Sequence, residues 1–320
     1  MPHWLIKSAI HRTISWLPKP QFWNDLFRKY GSRSLQLSSS QFEIKLRESQ
    51  RHWREFRAHY RGPTTDFAAL ELGTGWFPII PLGIYLCGAR EIWTVDIDPF
   101  LREDRMKLML DYFKDYIRTG KLTECLPDAR KDRVERLLAL ADKATTLSPR
   151  EWLQEFNIHV LVQDAQKLPL PDTSLDWIFS SGVMEYIPEP VLKNIMTEFQ
   201  RLGKIGAVMT HRLNLVDVYS YFDKNITTLN HLQYTDRQWR WRNSPLIWQS
   251  RLRVTDYRRL HADTGFEVVS EDNESESPDK LARIKIAPQF EKYSHPDLLV
   301  IHSFMVGRLT QKTGPTPPTI

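Results

Sequence analysis

Five consecutive residues, Glu71-Leu72-Gly73-Thr74-Gly75, put an acid and two glycines where the chain must turn sharply. Glycine there lets the backbone bend and approach a ligand at a point where a Cβ would clash. Asp96 stands 23 residues after Gly73 and is followed by Ile97 and Asp98. A carboxylate at that distance, at the end of the next strand, can accept from both hydroxyls of a ribose. A second stretch, Val160 to Ala165, again ends in an acid, Asp164, and a small residue; Ser181, Glu185 and Tyr186 follow. A third group, His211-Arg212 with Asp217 beyond it, contains side chains able to move a proton, His211 foremost because its ordinary pKa lies near neutrality. The chemistry these groups suggest is a grip on a ribose-bearing cofactor, with an acceptor held beside it.

Such residues need a parallel sheet to bring them to one edge. Ala68 to Leu72 is short and mostly apolar, the pattern of a buried central strand. Pro78 and Pro81 fit the first turn of the helix that follows, where a missing N–H costs little, and Gly88 stops that helix after Cys87. The pattern predicts a fourth strand over 175–180, a crossover helix over 189–202 and a fifth strand over 205–212. A helix over 255–264 and two last strands, 265–269 and 298–306, complete the set. Between the second and third strands lies a long insert, with helices expected over 100–118, 130–141 and 150–156.

The identity of the cofactor turns on the glycine loop. A nicotinamide-binding turn has a third glycine, for close helix–strand packing, where this chain has Pro78. Glu71-x-Gly73-x-Gly75 with an acid ending the second strand instead resembles the class I S-adenosylmethionine-dependent methyltransferases. The run from Asp164-Ala165 through Leu168-Pro169, Pro171-Asp172, Ser174 and Asp176 to Ser180-Ser181-Gly182-Val183 and Glu185-Tyr186 is similar to the adenine-binding and fourth-strand motifs of the same superfamily. Residues 210–223 also look like a bacterial subgroup of it. The resemblance implies a doubly wound α/β fold with a mostly parallel seven-stranded sheet, its last strand antiparallel beside the sixth. It implies S-adenosylmethionine held by Glu71, Gly73, Thr74, Gly75, Asp96, Ile97, Asp164, Ala165 and Ser181, with Asp164 receiving the adenine amino group and the backbone of Ala165 meeting the ring edge.

Methyl transfer is an in-line displacement at a sulfonium carbon, so the protein mainly holds a nucleophile ~3 Å from the methyl group and keeps water out. A base helps when the acceptor is a hydroxyl or a protonated amine. His211 is the first candidate, Asp217 orients it or binds a substrate hydroxyl, and Glu185 shapes the rim or serves as a base. No metal is expected, since no His/Asp cluster has ligand spacing. The expected acceptor is a small molecule or glycan that bears an acidic or phosphate group and is methylated on oxygen. The alternatives are an RNA methyltransferase, a membrane-lipid methyltransferase and a dinucleotide-binding oxidoreductase. Trp239-Arg240-Trp241-Arg242 alternates rings and cations as a nucleic-acid reader would, but no appended RNA-binding module accompanies it, so nucleic acid is the weaker expectation.

Composition adds bounds. The chain has 320 residues, 41% hydrophobic and 26% charged, ordinary for a protein with a full core. Two cysteines, Cys87 and Cys125, provide no disulfide framework, and a reducing cytoplasm is the expected setting. No apolar run approaches the ~20 residues that span a bilayer, and His11 and Arg12 break any signal-peptide core. Residues 1–60 hold 11 Lys/Arg against 4 Asp/Glu, and residues 201–260 again 11 against 4. Two basic segments suit solvated helix faces or a phosphate- or carboxylate-bearing partner equally. The organisation expected is an N-terminal helical extension over 1–62, a catalytic domain over 63–308 with a helical insert at 119–157 and an aromatic lid at 213–250, and a flexible tail over 309–320. In the extension, residues 4–17 read as an amphipathic helix that docks on its own protein or lies on a membrane surface, and a second helix is expected from about Gln41 to Tyr60.

Overall fold

A computed structural model describes residues 4–15, 37–141, 146–244, 246 and 248–312. Helices α1 (Trp4–Ser15) and α2 (Ser39–His59) precede a sheet whose strands alternate with helices. In chain order these are β1 (Ala68–Leu72), α3 (Ile79–Cys87), β2 (Glu91–Asp96), α4 (Glu103–Arg118), α5 (Lys121–Cys125), α6 (Lys131–Ala141), α7 (Pro149–Gln154) and β3 (Ile158–Val162). Then come β4 (Leu175–Ser181), α8 (Glu189–Leu202), β5 (Gly203–Asn214), α9 (Asp236–Arg242), α10 (Val254–Asp263), β6 (Phe266–Ser275) and β7 (Val300–Leu309). Of the tail predicted over 309–320, Leu309 closes β7 and the Thr310 N–H donates to the Gly265 carbonyl, while residues 313–320 lie outside the described residues.

The seven strands run in the order β3-β2-β1-β4-β5-β7-β6. All pairs are parallel except those of β7, which lies antiparallel between β5 and β6. This is the Rossmann-like sheet expected, with the reversed strand where it was expected. The strand order turns back on itself between β1 and β4, and the loops leaving the C-terminal ends of those two strands part there to leave a crevice.

Both faces of the sheet are covered. On one, α2 to α7 bury Phe42, Leu46, Trp53 and Phe56 together with Ile79, Met109, Phe113, Trp152 and the sheet residues Ile92, Trp177 and Phe179. On the other, α8 and α10 bury Leu192, Met196, Phe199, Tyr257 and Leu260 against Leu70, Ile178 and Met209. The helical insert therefore docks into the first layer instead of hanging from it. β6 is twice the length of the predicted strand, because Asp272 to Glu274 continue to pair with β7 although they are polar; the ladder, and not burial, holds that end.

Helix α2 is part of the first layer. Ser38 opens it with a capping box, accepting from the Gln41 N–H while the Gln41 side chain accepts from the Ser38 N–H. Phe56 stacks on Trp177 of β4 at 4.5 Å. His52 Nδ1 and Trp177 Nε1 both meet Thr210 Oγ1 of β5, at 2.8 and 2.9 Å. Buried polar atoms tied in this way fix the helix at one register over the strands.

Helix α1 docks far from α2, on the segment that follows β5. Trp4 is buried against Tyr219, Tyr234 and Trp239. No helix among the described residues is long and apolar enough to cross a membrane.

Candidate active site

Gly73 leaves β1 with φ +91° and Gly75 follows with φ +60°, left-handed values that favour glycine. A Cβ on Gly73 would come within 2.4 Å of Val183, in the loop after β4, whereas a Cβ on Gly75 meets nothing within 4 Å. The first glycine thus lets two loops close on each other, and the second opens its backbone to a ligand. The Gly75 N–H donates to Asp96 Oδ2 at 2.9 Å and the Ile97 N–H to Asp96 Oδ1 at 2.8 Å, which aims the carboxylate at the crevice. Burial raises the Asp96 carboxyl, and these backbone N–H groups partly offset the rise.

Glu71 is buried beneath the loop. It accepts from Thr94 Oγ1 at 2.7 Å, and Thr94 lies 2.6 Å from Thr74 Oγ1. Burial pushes the Glu71 carboxyl up to about 8, so near neutrality it is mostly protonated and acts as a link inside the turn.

Two adjoining cavities flank this loop. One, of about 470 Å³, is walled by Gly73, Asp96, Ile97, Asp164, Ala165 and Tyr186. Asp164 is exposed there, its carboxylate held by the backbone and side-chain N–H groups of Gln166 at 2.9 and 2.7 Å. The other, of about 420 Å³, lies between Gly73–Gly75 and Ser181–Val183 on one side and Leu37, Gln41, Ile44 and Lys45 at the start of α2 on the other. The two share Gly73, Asp96, Val183 and Tyr186. The residues expected to hold the nucleoside-bearing cofactor thus come together in one strip, from Asp164 and Ala165 past Asp96 to Ser181. The open backbone at Gly75 fits a ligand pressed against it.

Helix α2, in sequence rich in arginine with an apolar side, also brings two charged side chains, Lys45 and Glu48, to the second cavity. Glu48 is buried behind the second cavity and takes Ser181 Oγ at 2.8 Å, Lys45 Nζ at 2.8 Å and Arg212 Nε at 3.1 Å. Burial pushes its carboxyl up, but the Lys45 and Arg212 charges and the hydrogen bonds from Lys45 and Ser181 overcome this, and Glu48 sits below the usual carboxylate range. The signal was there to find: Glu48, Ser49 and His52 are polar yet fall on the same face as Leu46, Trp53 and Phe56.

His211 and Asp217 do not reach the site, and their assignment as base and orienting acid is corrected here. Side chains alternate along a strand, and Thr210 and Arg212 point toward α2, so His211 points to the α8–α10 face. There it is fully buried, with Nδ1 at 2.8 Å from Ser180 Oγ and its ring 5.7 Å from that of His261. Burial holds it well below its ordinary pKa, with His261 and His52 adding to the effect. Asp217, also fully buried, caps the short turn Val218–Tyr221 by accepting from the Tyr219 N–H at 2.9 Å and takes Asn230 Nδ2 at 2.8 Å. Burial pushes it up to about 6. It is an anchor for the segment after β5.

Glu185 lies under the floor of the cavity. Its Oε1 is 3.7 Å from where a Gly182 Cβ would be. The carboxyl is fully buried and makes no side-chain hydrogen bond of good geometry. Burial dominates, and the nearby backbone N–H groups and Arg212 charge offset it only in part, so the group is pushed up to about 8.

The 213–250 segment is not the roof of the cavity. None of its described residues lines the two cavities; Val216, Leu229 and Leu232 pack instead with Leu281, Phe290 and Ile301 in a satellite core. Helix α2 lies over the glycine loop, the place the segment was expected to share with the N-terminal helices. Trp239 is buried while Trp241 is exposed, so the Trp-Arg-Trp-Arg run does not offer two rings to one strand of nucleic acid.

A family model described as "Methyltransferase domain" matches residues 119–210, from the insert through most of β5. No curated protein sequence matches the chain. Solved structures similar to it include the geranyl diphosphate C-methyltransferase of Streptomyces coelicolor A3(2), crystallised with S-adenosyl-L-homocysteine, at 11% identity over 80% of this chain and 74% of that one, TM-score 0.42. Another is a protein of Galdieria sulphuraria provisionally assigned as a sarcosine dimethylglycine methyltransferase, at 15% identity over 84% and 87%, TM-score 0.45. A third, at 16% identity over 91% and 98%, TM-score 0.44, is the Haloferax volcanii protein solved with the Trm112 methyltransferase activator. Likenesses this distant say nothing of a substrate.

Proposed function

We propose that this chain is a class I S-adenosylmethionine-dependent methyltransferase and that it methylates a hydroxyl of a small-molecule or glycan-like acceptor seated under α2. The observation that carries this reading is the roofed cavity. Its glycine-loop side, at Gly73–Gly75, Asp96 and Ser181, is the end of the cofactor strip, and its other side, closed by Leu37, Gln41, Ile44 and Lys45, is left for a small acceptor. When bound along the strip from Asp164 to Ser181, the cofactor supplies a methyl group made electrophilic by the adjacent sulfonium.

The chain's own contribution is placement and proton removal. Leu37 and Ile44 exclude water, Gln41 offers an amide, and Lys45 offers a cation to an anionic group on the acceptor. As the acceptor oxygen bonds to the methyl carbon, its proton becomes strongly acidic, so a weak base suffices. The Ser181 hydroxyl, on the cavity wall and hydrogen-bonded to the Glu48 carboxylate, is the relay we favour: Ser181 takes the acceptor's proton and passes its own to Glu48. Glu185, shielded by Gly182, is assigned no part in this relay.

The direct test supplies labelled S-adenosylmethionine and the protein to cell extract and fractionates the label. Label in small molecules or glycans is expected, and label confined to RNA or protein would overturn the acceptor class. Calorimetry with S-adenosylhomocysteine and with NAD tests the cofactor independently; NAD binding without a response to S-adenosylhomocysteine would remove the premise.

A further inference from the structure

Helix α1 is docked with its faces reversed. The residues that hold it down are Trp4, Ser8 and Arg12, one stripe at i, i+4 and i+8. The Trp4 N–H donates to Asp223 Oδ2 at 3.1 Å, Ser8 Oγ donates to the Arg242 carbonyl at 2.6 Å, and Arg12 Nη2 donates to the Arg240 carbonyl at 2.7 Å. Its described aliphatic side chains, of the kind that face the core in an ordinary surface helix, face outward: Leu5, Ile6 and Ile10 are 44%, 54% and 39% exposed. Trp241, 69% exposed, stands at the Arg12 end of α1, with the Arg12 guanidinium 5.4 Å from its ring centre. Arg237 and Arg240 of α9 are exposed on the same short helix as Trp241, and no acidic residue occurs in α1.

We propose that this face, Ile6, Ile10 and Trp241 with Arg237 and Arg240 around it, docks on an anionic lipid surface. Contiguous aliphatic side chains left in water need a partner. An apolar centre with a tryptophan at its edge and arginines flanking it matches the layering of a bilayer interface: acyl carbon below, headgroup level for the indole ring, phosphates for the guanidinium groups. The charge argues for lipid phosphate: α9 carries Arg237, Arg240 and Arg242 against Asp236, and Asp236 is already paired with Arg251. The contact would be peripheral, because 12 residues lying flat cannot span. It would set the segment that follows β5 near a membrane. The inference does not depend on the acceptor proposed above.

The test is co-sedimentation of the full-length protein with phosphatidylcholine vesicles, with and without phosphatidylglycerol. Wild type should pellet with the phosphatidylglycerol vesicles and much less with phosphatidylcholine alone. An Ile6→Asp/Ile10→Asp variant should lose binding about tenfold or more, keeping its melting temperature and its S-adenosylhomocysteine affinity. Arg237→Ala/Arg240→Ala should weaken binding by a smaller factor, and the difference from wild type should shrink at high salt. Failure of wild type to pellet with either vesicle would overturn the proposal, as would equal pelleting of the isoleucine variant. A lower solution mass for that variant, with no vesicle binding by wild type, would reassign the face to self-association.

Discussion

Asp96 has two duties that a substitution can separate. It accepts from the Gly75 and Ile97 N–H groups and so shapes the turn, and it is the acid expected at the ribose. Asp96→Ala removes both and should weaken S-adenosylhomocysteine binding by roughly 1.5–3 kcal/mol, the range for hydrogen bonds to a charged group; calorimetry measures it, and an unchanged Kd would remove Asp96 from the ribose. Glu185 calls for a pH experiment. Its folded pKa, about 8, lies above its ordinary 4.5. As pH rises the unfolded chain therefore releases this proton first. The group's stabilising contribution is full below about 4.5 and is lost progressively up to about 8. Glu185→Gln should flatten that part of the profile, melting at a higher temperature than wild type at pH 8 and differing less at pH 5; a constant difference across this range would show the carboxyl to be ionised throughout. The placement of the glycine loop, Asp96 and Asp164 at the strand ends was legible in the sequence because it depends on local spacing. His211 was misread for an equally local reason. Near a strand end, a shift of one residue changes the face, and the partners that fix the face, His52 and Trp177 on Thr210, lie 158 and 33 residues away in the chain.

Among the elements, α2 decides most about the site. Its apolar stripe made it legible as a helix, but whether that stripe rests on the sheet or on another part of the chain is a tertiary fact, fixed by Phe56 on Trp177 and by Glu48 between Ser181 and Arg212. Glu48→Gln keeps the shape and removes the charge. It should lower the single-turnover methyl-transfer rate by about tenfold or more, the lower end of what general-base removal costs, with the S-adenosylhomocysteine Kd changed far less. Equal loss in both would make Glu48 a structural support only. The 213–250 segment was legible as an ordered, aromatic element but not as to where it lies. Asp217 and Asn230 tie it at its base, and its apolar residues complete a core with Leu281 and Ile301. Asp217→Ala leaves the Tyr219 N–H and the Asn230 amide buried without a partner, and should destabilise the fold by about 1–3 kcal/mol. Chemical denaturation measures this, and a loss of turnover at unchanged stability would return Asp217 to the active site.

At the scale of the whole molecule the question is where the catalytic unit begins. The sequence suggests a boundary near residue 62, since Gly62-Pro63 ends a helix and the glycine loop follows soon after. The packing argues for an earlier one. Phe42, Leu46, Trp53 and Phe56 belong to the same core as Ile79, Phe113 and Trp177, and the Tyr60 hydroxyl donates to Asp176 Oδ1 at 2.5 Å, at the start of β4. Burying an aliphatic or aromatic side chain of this size contributes on the order of 1.5–3 kcal/mol. Four of them together rival the 5–15 kcal/mol by which a domain is stable at all. Helix α1 makes no such contribution to the sheet: its buried tryptophan meets Tyr219 and Trp239 in a separate cluster. Two truncations therefore have opposite expected outcomes. A chain starting at residue 37 keeps the Ser38 cap and all of α2, and should fold, melt cooperatively and bind S-adenosylhomocysteine. A chain starting at residue 63 exposes the face of β1, β4 and α3 that α2 covers, and should aggregate or fail to melt cooperatively. If the shorter chain proves as stable as the longer one, α2 is an appendage, and the roof over the cavity with its Lys45 and Glu48 would have to be regarded as an addition to a catalytic unit complete without it.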